Sequence, residues 1–202
     1  MDVIFLADKG GVGKSTVAFH VATRLRQIGY DTGLYDLDSR GTTSSWAAET
    51  GYVPAYDLRR LQVAAPDHEV VVWDTAPHPD DELRKELART GDVLVIVAQG
   101  DRDSMAAAGD LHRALTLSGA RRVAIVFNGV HPTGHEGAEC VAAAREEGLP
   151  ALGAWMRRYS CYSQARWDGR AVVDHPYPKA DSAWSDITAV TEEILQLASQ
   201  AA

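Results

Sequence analysis

Asp8-Lys9-Gly10-Gly11-Val12-Gly13-Lys14-Ser15-Thr16 is the stretch from which the fold of this chain is read. The apolar run Val3 to Ala7 precedes it and a helical pattern opens at Lys14, so it occupies a strand-to-helix turn, the setting a phosphate loop requires. Gly10, Gly11 and Gly13 can take backbone angles closed to other residues and leave no side chain between the chain and a polyphosphate. Their amide groups, with that of Val12 and the helix N-terminus, then point at the anion. In such a loop Lys14 bridges the β- and γ-phosphates, Ser15 places its hydroxyl on magnesium, and Thr16 reaches the α-phosphate. The bland alternative is a glycine-rich turn with a helix cap, and the run Gly-Lys-Ser-Thr in this setting weighs against it.

Outward from the loop, short apolar runs alternate with helical patterns, the signature of parallel strands joined by crossover helices. Strands are expected at Val3 to Ala7, Thr32 to Asp36, Glu69 to Asp74, Val93 to Ala98 and Val123 to Phe127, with an edge strand after Gly148-Leu149-Pro150. The helix from Lys14 to about Gln27 carries Val17, Val21, Leu25 and Ile28 at three- and four-residue spacing, and Gly29 ends it. Further helices are expected from about Ser104 to Ser118 and from Glu136 to Glu147. Residues 41–68 are weakly patterned, with short helices expected near Ser44 to Glu49 and near Leu58 to Ala65 around a Gly51/Pro54 break. The expected architecture is a single α/β domain spanning residues 1–202, a mostly parallel twisted sheet with helices on both faces.

Three strand ends carry candidate chemistry. Asp36-Leu37-Asp38-Ser39-Arg40 leads out of the second strand at its carboxyl end, the edge where open α/β sheets bind ligands. Glu69-Val-Val-Val-Trp-Asp74 has the form of a Walker B strand, in which Asp74 holds a magnesium-bound water and Thr75-Ala76-Pro77 forms the following switch. Asn128 closes the strand from Val123, and its amide suits either a purine edge, hence adenine, or a turn cap before Gly129.

Composition bounds these readings. The chain is long enough for one sizeable core, and no apolar run approaches the roughly 18 residues of a membrane span. Its N-terminus enters a strand with no signal-peptide pattern, so a cytoplasmic protein is expected. Cys140 and Cys161 stand alone without a zinc or disulfide pattern and read as free buried thiols. His131 and His135 flank Pro132 and Gly134, which disfavours a metal-binding helical pair and leaves solvated loop histidines. The net charge of −8 excludes a protein that coats nucleic acid by overall charge. Arg157, Arg158, Arg166 and Arg170 nevertheless form a local excess against Asp168, suited to salt-sensitive, sequence-independent contacts with DNA phosphates, with Lys179 a further candidate; the alternative is a solvated helix face.

The loop departs from G-x-x-x-x-G-K-[ST] in having Asp8 at the first glycine position and a second lysine, Lys9, before the glycine pair. This form, K-G-G-x-G-K-[ST], resembles the deviant Walker A loop of the ParA/MinD family of dimerising ATPases. The resemblance implies that Lys9 crosses a homodimer interface to the partner's ATP. It extends to Asp36-x-Asp38, where the family has Asp-x-Asp followed usually by Pro-Gln and this chain has Ser39-Arg40. Asp36 would then hold magnesium through water and Asp38 would orient or activate the attacking water. Trp46, Asp103, Met156, Arg158, Ala165, Gly169, the run Tyr177 to Ala183, and Glu193-Ile194 continue the likeness more diffusely.

The resemblance as a whole implies a partition ATPase. ATP drives a sandwich dimer that binds nonspecific DNA on the nucleoid, a ParB-like centromere-binding partner stimulates weak hydrolysis, and plasmid or chromosome is the cargo. With the loop starting at residue 8, no N-terminal helix-turn-helix domain is expected. A MinD-like membrane anchor is disfavoured because Ile187 to Ala202 has no Lys or Arg and carries Glu192 and Glu193. An iron-protein-like electron-transfer ATPase would need cysteines after the Walker B strand, and residues 75–139 have none. A metabolic ligase or synthetase of the same superfamily remains open; it would not need Lys9.

Overall fold

The computed structural model describes residues 1–60, 65–174 and 176–200. Its strands are β1 (Asp2–Leu6), β2 (Thr32–Asp36), β3 (Ala55–Asp57), β4 (Val70–Asp74), β5 (Val93–Ala98), β6 (Val123–Val130) and β7 (Met156–Arg157). They form one seven-stranded sheet in the order β3-β2-β4-β1-β5-β6-β7, with every pairing parallel. Between them run α1 (Lys14–Gln27), α2 (Thr42–Thr50), α3 (Asp81–Thr90), α4 (Arg102–Leu117), α5 (Glu136–Glu146), α6 (Ser160–Trp167) and α7 (Ala180–Ser199).

The apolar runs of the sequence are continuous because these strands are buried on both faces. In β1, Val3 and Phe5 enter one core with Val17, Phe19 and Leu25 of α1, Trp46 of α2, and Ile187 and Val190 of α7. Ile4 and Leu6 enter the other core with Leu87 of α3, Leu111 and Leu115 of α4, and Val141 of α5. The period-2 alternation of strand side chains thus divides single strands between two helical layers.

Register brings the acids of the sequence together. Asp36 of β2 lies opposite Asp74 of β4, and Asp74 lies opposite Phe5 of β1. The chain leaves β1 immediately beyond this row, so the glycine loop emerges beside both carboxylates.

Several expectations are corrected. Residues 55–57 form an edge strand, and the helix expected from Leu58 to Ala65 is absent where described: residues 58–60 are a turn, and 61–64 lie outside the described residues. The strand from Val123 runs on to Val130, so Asn128 sits inside it. Helix α3 was not foreseen; Asp80 caps it by accepting the Leu83 N–H at 2.8 Å, and only Leu87 and Ala88 of its residues are buried. Cys140 and Cys161 are free and buried, and His131 and His135 are exposed, as the sequence suggested.

One buried group gives the fold a pH dependence. His20 of α1 is fully enclosed, donating from Nδ1 to the Thr16 carbonyl at 2.8 Å and accepting the Val172 N–H at Nε2 over 3.3 Å. Its ring packs edge-on against Phe19, Trp46 and Tyr162. Burial lowers its pKa to about 4, the Thr16 bond opposing this only in part. The unfolded chain therefore binds this proton below about 6.5 and the folded chain only near 4, so the stability is complete above that window and falls as pH drops through it. Between about pH 7 and about pH 4.5 we expect His20 to account for roughly 2–3 kcal/mol of lost stability. Urea denaturation at the two pH values measures this as the difference in pH slope between wild type and His20→Gln, and equal slopes would contradict it.

Candidate functional site

The loop between β1 and α1 owes its shape to two glycines with positive φ, Gly11 at 80° and Gly13 at 86°, a region in which side-chain-bearing residues are strained. Gly13 is also an approach point: a Cβ there would lie 2.1 Å from Asn128 Nδ2. That same amide donates to the Val12 carbonyl at 2.7 Å, so β6 grips the loop from the side. One of the two Asn128 N–H donors is thus spent on the loop backbone, and the same side chain also lines the larger cavity.

Lys14 is 6% exposed and its ammonium donates to Asp74 Oδ1 and to the Thr75 carbonyl. The other Asp74 oxygen accepts the Thr43 hydroxyl from the first turn of α2. Asp36 is wholly buried and accepts three backbone N–H groups, Asp38 at 2.9 Å, Thr43 at 3.1 Å and Ser44 at 2.9 Å. It therefore anchors the N-terminus of α2, a duty additional to the metal role the resemblance implies. Thr43 was missed by the sequence reading; its signal was a hydroxyl seven residues after Asp36 at a helix start.

Asp38 is buried beneath Arg40, which reaches it with Nη2 at 2.9 Å, Nε at 3.3 Å and its backbone N at 2.9 Å. Burial pushes the Asp38 carboxyl up, but the Arg40 hydrogen bonds and the charges of Arg40 and Lys14 outweigh it and hold the group below the usual carboxylate range. Lys9, half-exposed, pairs with both oxygens of Asp101 at 3.1 and 3.2 Å. Asp101 caps α4 through the Ser104 N–H, and that bond, then Lys9, holds its carboxyl low.

Two cavities meet at the loop. One of about 200 Å³ is lined by residues 9–15 together with Arg40, Thr42 and Pro77. The second, of about 500 Å³, borders Gly11, Gly13 and Thr16 and extends over Gln99, Gly129, Arg158 and Tyr159. The first is lined by the glycine loop and cations suited to phosphate. Ser15, Asp36 and Asp74 are hard-oxygen donors of the kind magnesium takes, and Asp74 would have to exchange Lys14 or Thr43 for the ion. Among the described residues no cluster of three or more His, Cys, Asp or Glu can hold a metal by itself.

Of the four arginines, Arg157, Arg158 and Arg166 line the larger cavity together. The Arg157 guanidinium is forked onto Asp186, with Nη2 to Oδ1 at 2.6 Å and Nε to Oδ2 at 2.9 Å, so its cation is already neutralised. Arg166 lies over the Trp46 ring, 5.1 Å from its centroid, and lines the larger cavity. Arg158 and Arg170 are exposed, and Trp167 beside them is 88% exposed.

A parallel sheet with a two-lysine phosphate loop beside two acid-ended strands defines a P-loop nucleotide-binding domain. Residues 3–172 match the CobQ/CobB/MinD/ParA nucleotide binding domain, and the chain belongs to that family. It is 29% identical over 202 aligned residues to Maintenance of carboxysome distribution protein A of Gloeobacter kilaueensis, covering 95% of this chain and 93% of that protein. Its fold is that of a plasmid partition protein from Borrelia burgdorferi B31 solved with AMPPNP, with a TM-score of 0.71 at 14% identity over 96% of this chain and 99% of that one. A complex of a Cyanothece McdA variant with ATP is similar, with a TM-score of 0.70 at 14% identity over 100% and 98% of the two chains.

Asn128 separates two roles by experiment. If it holds the loop, Asn128→Ala weakens ATP and GTP alike, by about tenfold, the cost of one buried hydrogen bond. Fluorescence titration with both nucleotides checks this; a loss confined to ATP would instead make Asn128 an adenine reader.

Proposed function

We propose that this chain is a ParA/MinD-like positioning ATPase, in which ATP closes a homodimer across the two phosphate loops and hydrolysis reopens it. The observation that carries the reading is Lys9. It lies at the mouth of the phosphate cavity on the flexible stem of a half-exposed side chain, tied to a carboxylate that is itself half-exposed. A mostly solvated ion pair of this kind is weak, so the ammonium is free to exchange Asp101 for a phosphate presented by a second copy.

The roles of the remaining residues follow from their positions. The amides of residues 10–13 and the start of α1 bind the phosphate chain, and Lys14 neutralises it from beneath. Ser15, Asp36 and Asp74 would hold a magnesium ion, which would supply positive charge to phosphate oxygens. Asp38 orients the attacking water and accepts its proton. Thr75-Ala76-Pro77, starting at the carbonyl that Lys14 grips, carries the change of state away from the site.

Cargo is read from the surface and the relatives. Arg158 and Arg170 are exposed cations suited to DNA phosphates, with Arg157 and Arg166 of the same segment at the cavity edge, so DNA binding in this reading is salt-sensitive and sequence-independent. The likeness to a carboxysome distribution protein favours a protein assembly as cargo, moved over the nucleoid, with plasmid or chromosome segregation by a ParB-like partner as the second reading. No described helix is long and apolar enough to cross a membrane, and α7 carries no Lys or Arg for anionic lipid.

Mass in solution by light scattering, with ADP and with ATP, is expected to show an ATP-dependent dimer for wild type and a monomer for Lys9→Ala. Duplex DNA binding at low salt should follow the dimer. A mass indifferent to nucleotide would overturn the sandwich mechanism and favour a small-molecule ligase.

A further inference from the structure

Asp38 carries the chemistry in the reading above, yet it is not free. Every hydrogen bond that its carboxylate accepts among the described residues comes from Arg40. Arg40 in turn lines the phosphate cavity, in company with Lys9, Lys14, Ser15 and Thr42. We propose that Arg40 is a positioning residue that answers to the terminal phosphate of a nucleoside triphosphate: it clamps Asp38 until that phosphate draws its guanidinium away and leaves the carboxylate to the water. The proposal rests on the ATPase reading.

Burial decides which partner moves. Asp38 is 1% exposed and is fixed by the turn it begins, whereas the Arg40 side chain is 67% exposed on a long stem. The exposed guanidinium gives up rotamer freedom to stay, and the buried carboxylate it leaves is taken over by the attacking water, so the exchange strands no charge. A guanidinium fork fits phosphate as well as carboxylate, so the exchange conserves the pattern of donors. A terminal phosphate in the same cavity also carries more charge than Asp38. A diphosphate, ending one phosphate short, leaves the clamp closed, and Arg40 then discriminates between the two nucleotides.

The backbone does not need the side chain. The Arg40 N–H to Asp38 Oδ1 bond and the Gly41 N–H to Asp38 carbonyl bond at 3.0 Å close the turn, and both survive any replacement other than proline. Substitution therefore tests the guanidinium alone.

Isothermal titration of the full chain with AMPPNP and with ADP, both with magnesium, is the test. Arg40→Gln should weaken AMPPNP about tenfold and leave ADP within about twofold, and Arg40→Lys should restore part of the loss. Asp38→Asn removes the competing charge and should tighten AMPPNP several-fold, a gain that disappears in the Asp38→Asn/Arg40→Gln double variant. An unchanged AMPPNP-to-ADP ratio in Arg40→Gln, or a gain from Asp38→Asn that persists without Arg40, would overturn the clamp and leave the ATPase reading standing. A wild type that binds neither nucleotide would overturn both.

Discussion

The buried pair between the Lys14 ammonium and the Asp74 carboxylate is the contact on which the site depends. It joins the phosphate loop to the end of β4, and with the Thr75 carbonyl it fixes where the following switch begins. Both groups are out of water, 6% and 0% exposed, so neither is stable without the other. Removing one partner of such a pair leaves an unpaired buried charge, at a cost of about 3–5 kcal/mol, whereas the intact pair contributes little net stability. It is better understood as a constraint on geometry: the loop, β4 and, through Thr43 on the second Asp74 oxygen, α2 share one ionic centre.

Helix α2 extends that constraint outward. Its first turn is held by Asp36 and Asp74, and its body by Trp46, which stacks on Phe19 of α1 at 4.1 Å and donates its indole N–H to the Arg170 carbonyl at 2.9 Å. The same indole lies under Arg166. A chain of packed and hydrogen-bonded groups therefore runs from the phosphate cavity to the segment that carries Trp167 and Arg170. A shift of α2 cannot leave this segment unmoved, because the Trp46 ring has close-packed neighbours on both sides.

The loop and its acids were legible in sequence because the chemistry of polyphosphate binding prescribes residue types at fixed spacing. The strands were legible because burial on both faces makes them uniformly apolar. What escaped reading depends on tertiary contact. Helix α3 buries little more than Leu87 and Ala88, so its apolar signal is slight, and the three-residue β3 is too short for a period to register. The duties of Asn128 and Arg157 are set by Val12 and Asp186, residues 116 and 29 positions away, and no local pattern announces them. Arg157 shows this most clearly, since nothing local in a basic run announces the carboxylate partner that folds against it.

The cations around the phosphate cavity fall into two kinds. Lys14 is sealed in and paired with an equally sealed acid, so in this state it is held beneath the loop. Lys9 and Arg40 sit at the rim, each resting on a carboxylate of the same chain while its own head remains largely in water. In an acidic protein these local pairs keep the rim cations oriented toward the cavity, and their focused field favours an incoming polyanion. In the proposed mechanism the release of Arg40 requires a competitor of higher charge in the cavity itself, and the release of Lys9 a phosphate presented by a second copy. In the proposed reading the buried lysine marks where phosphate binds, and the two rim cations are the groups through which the number of phosphates would act.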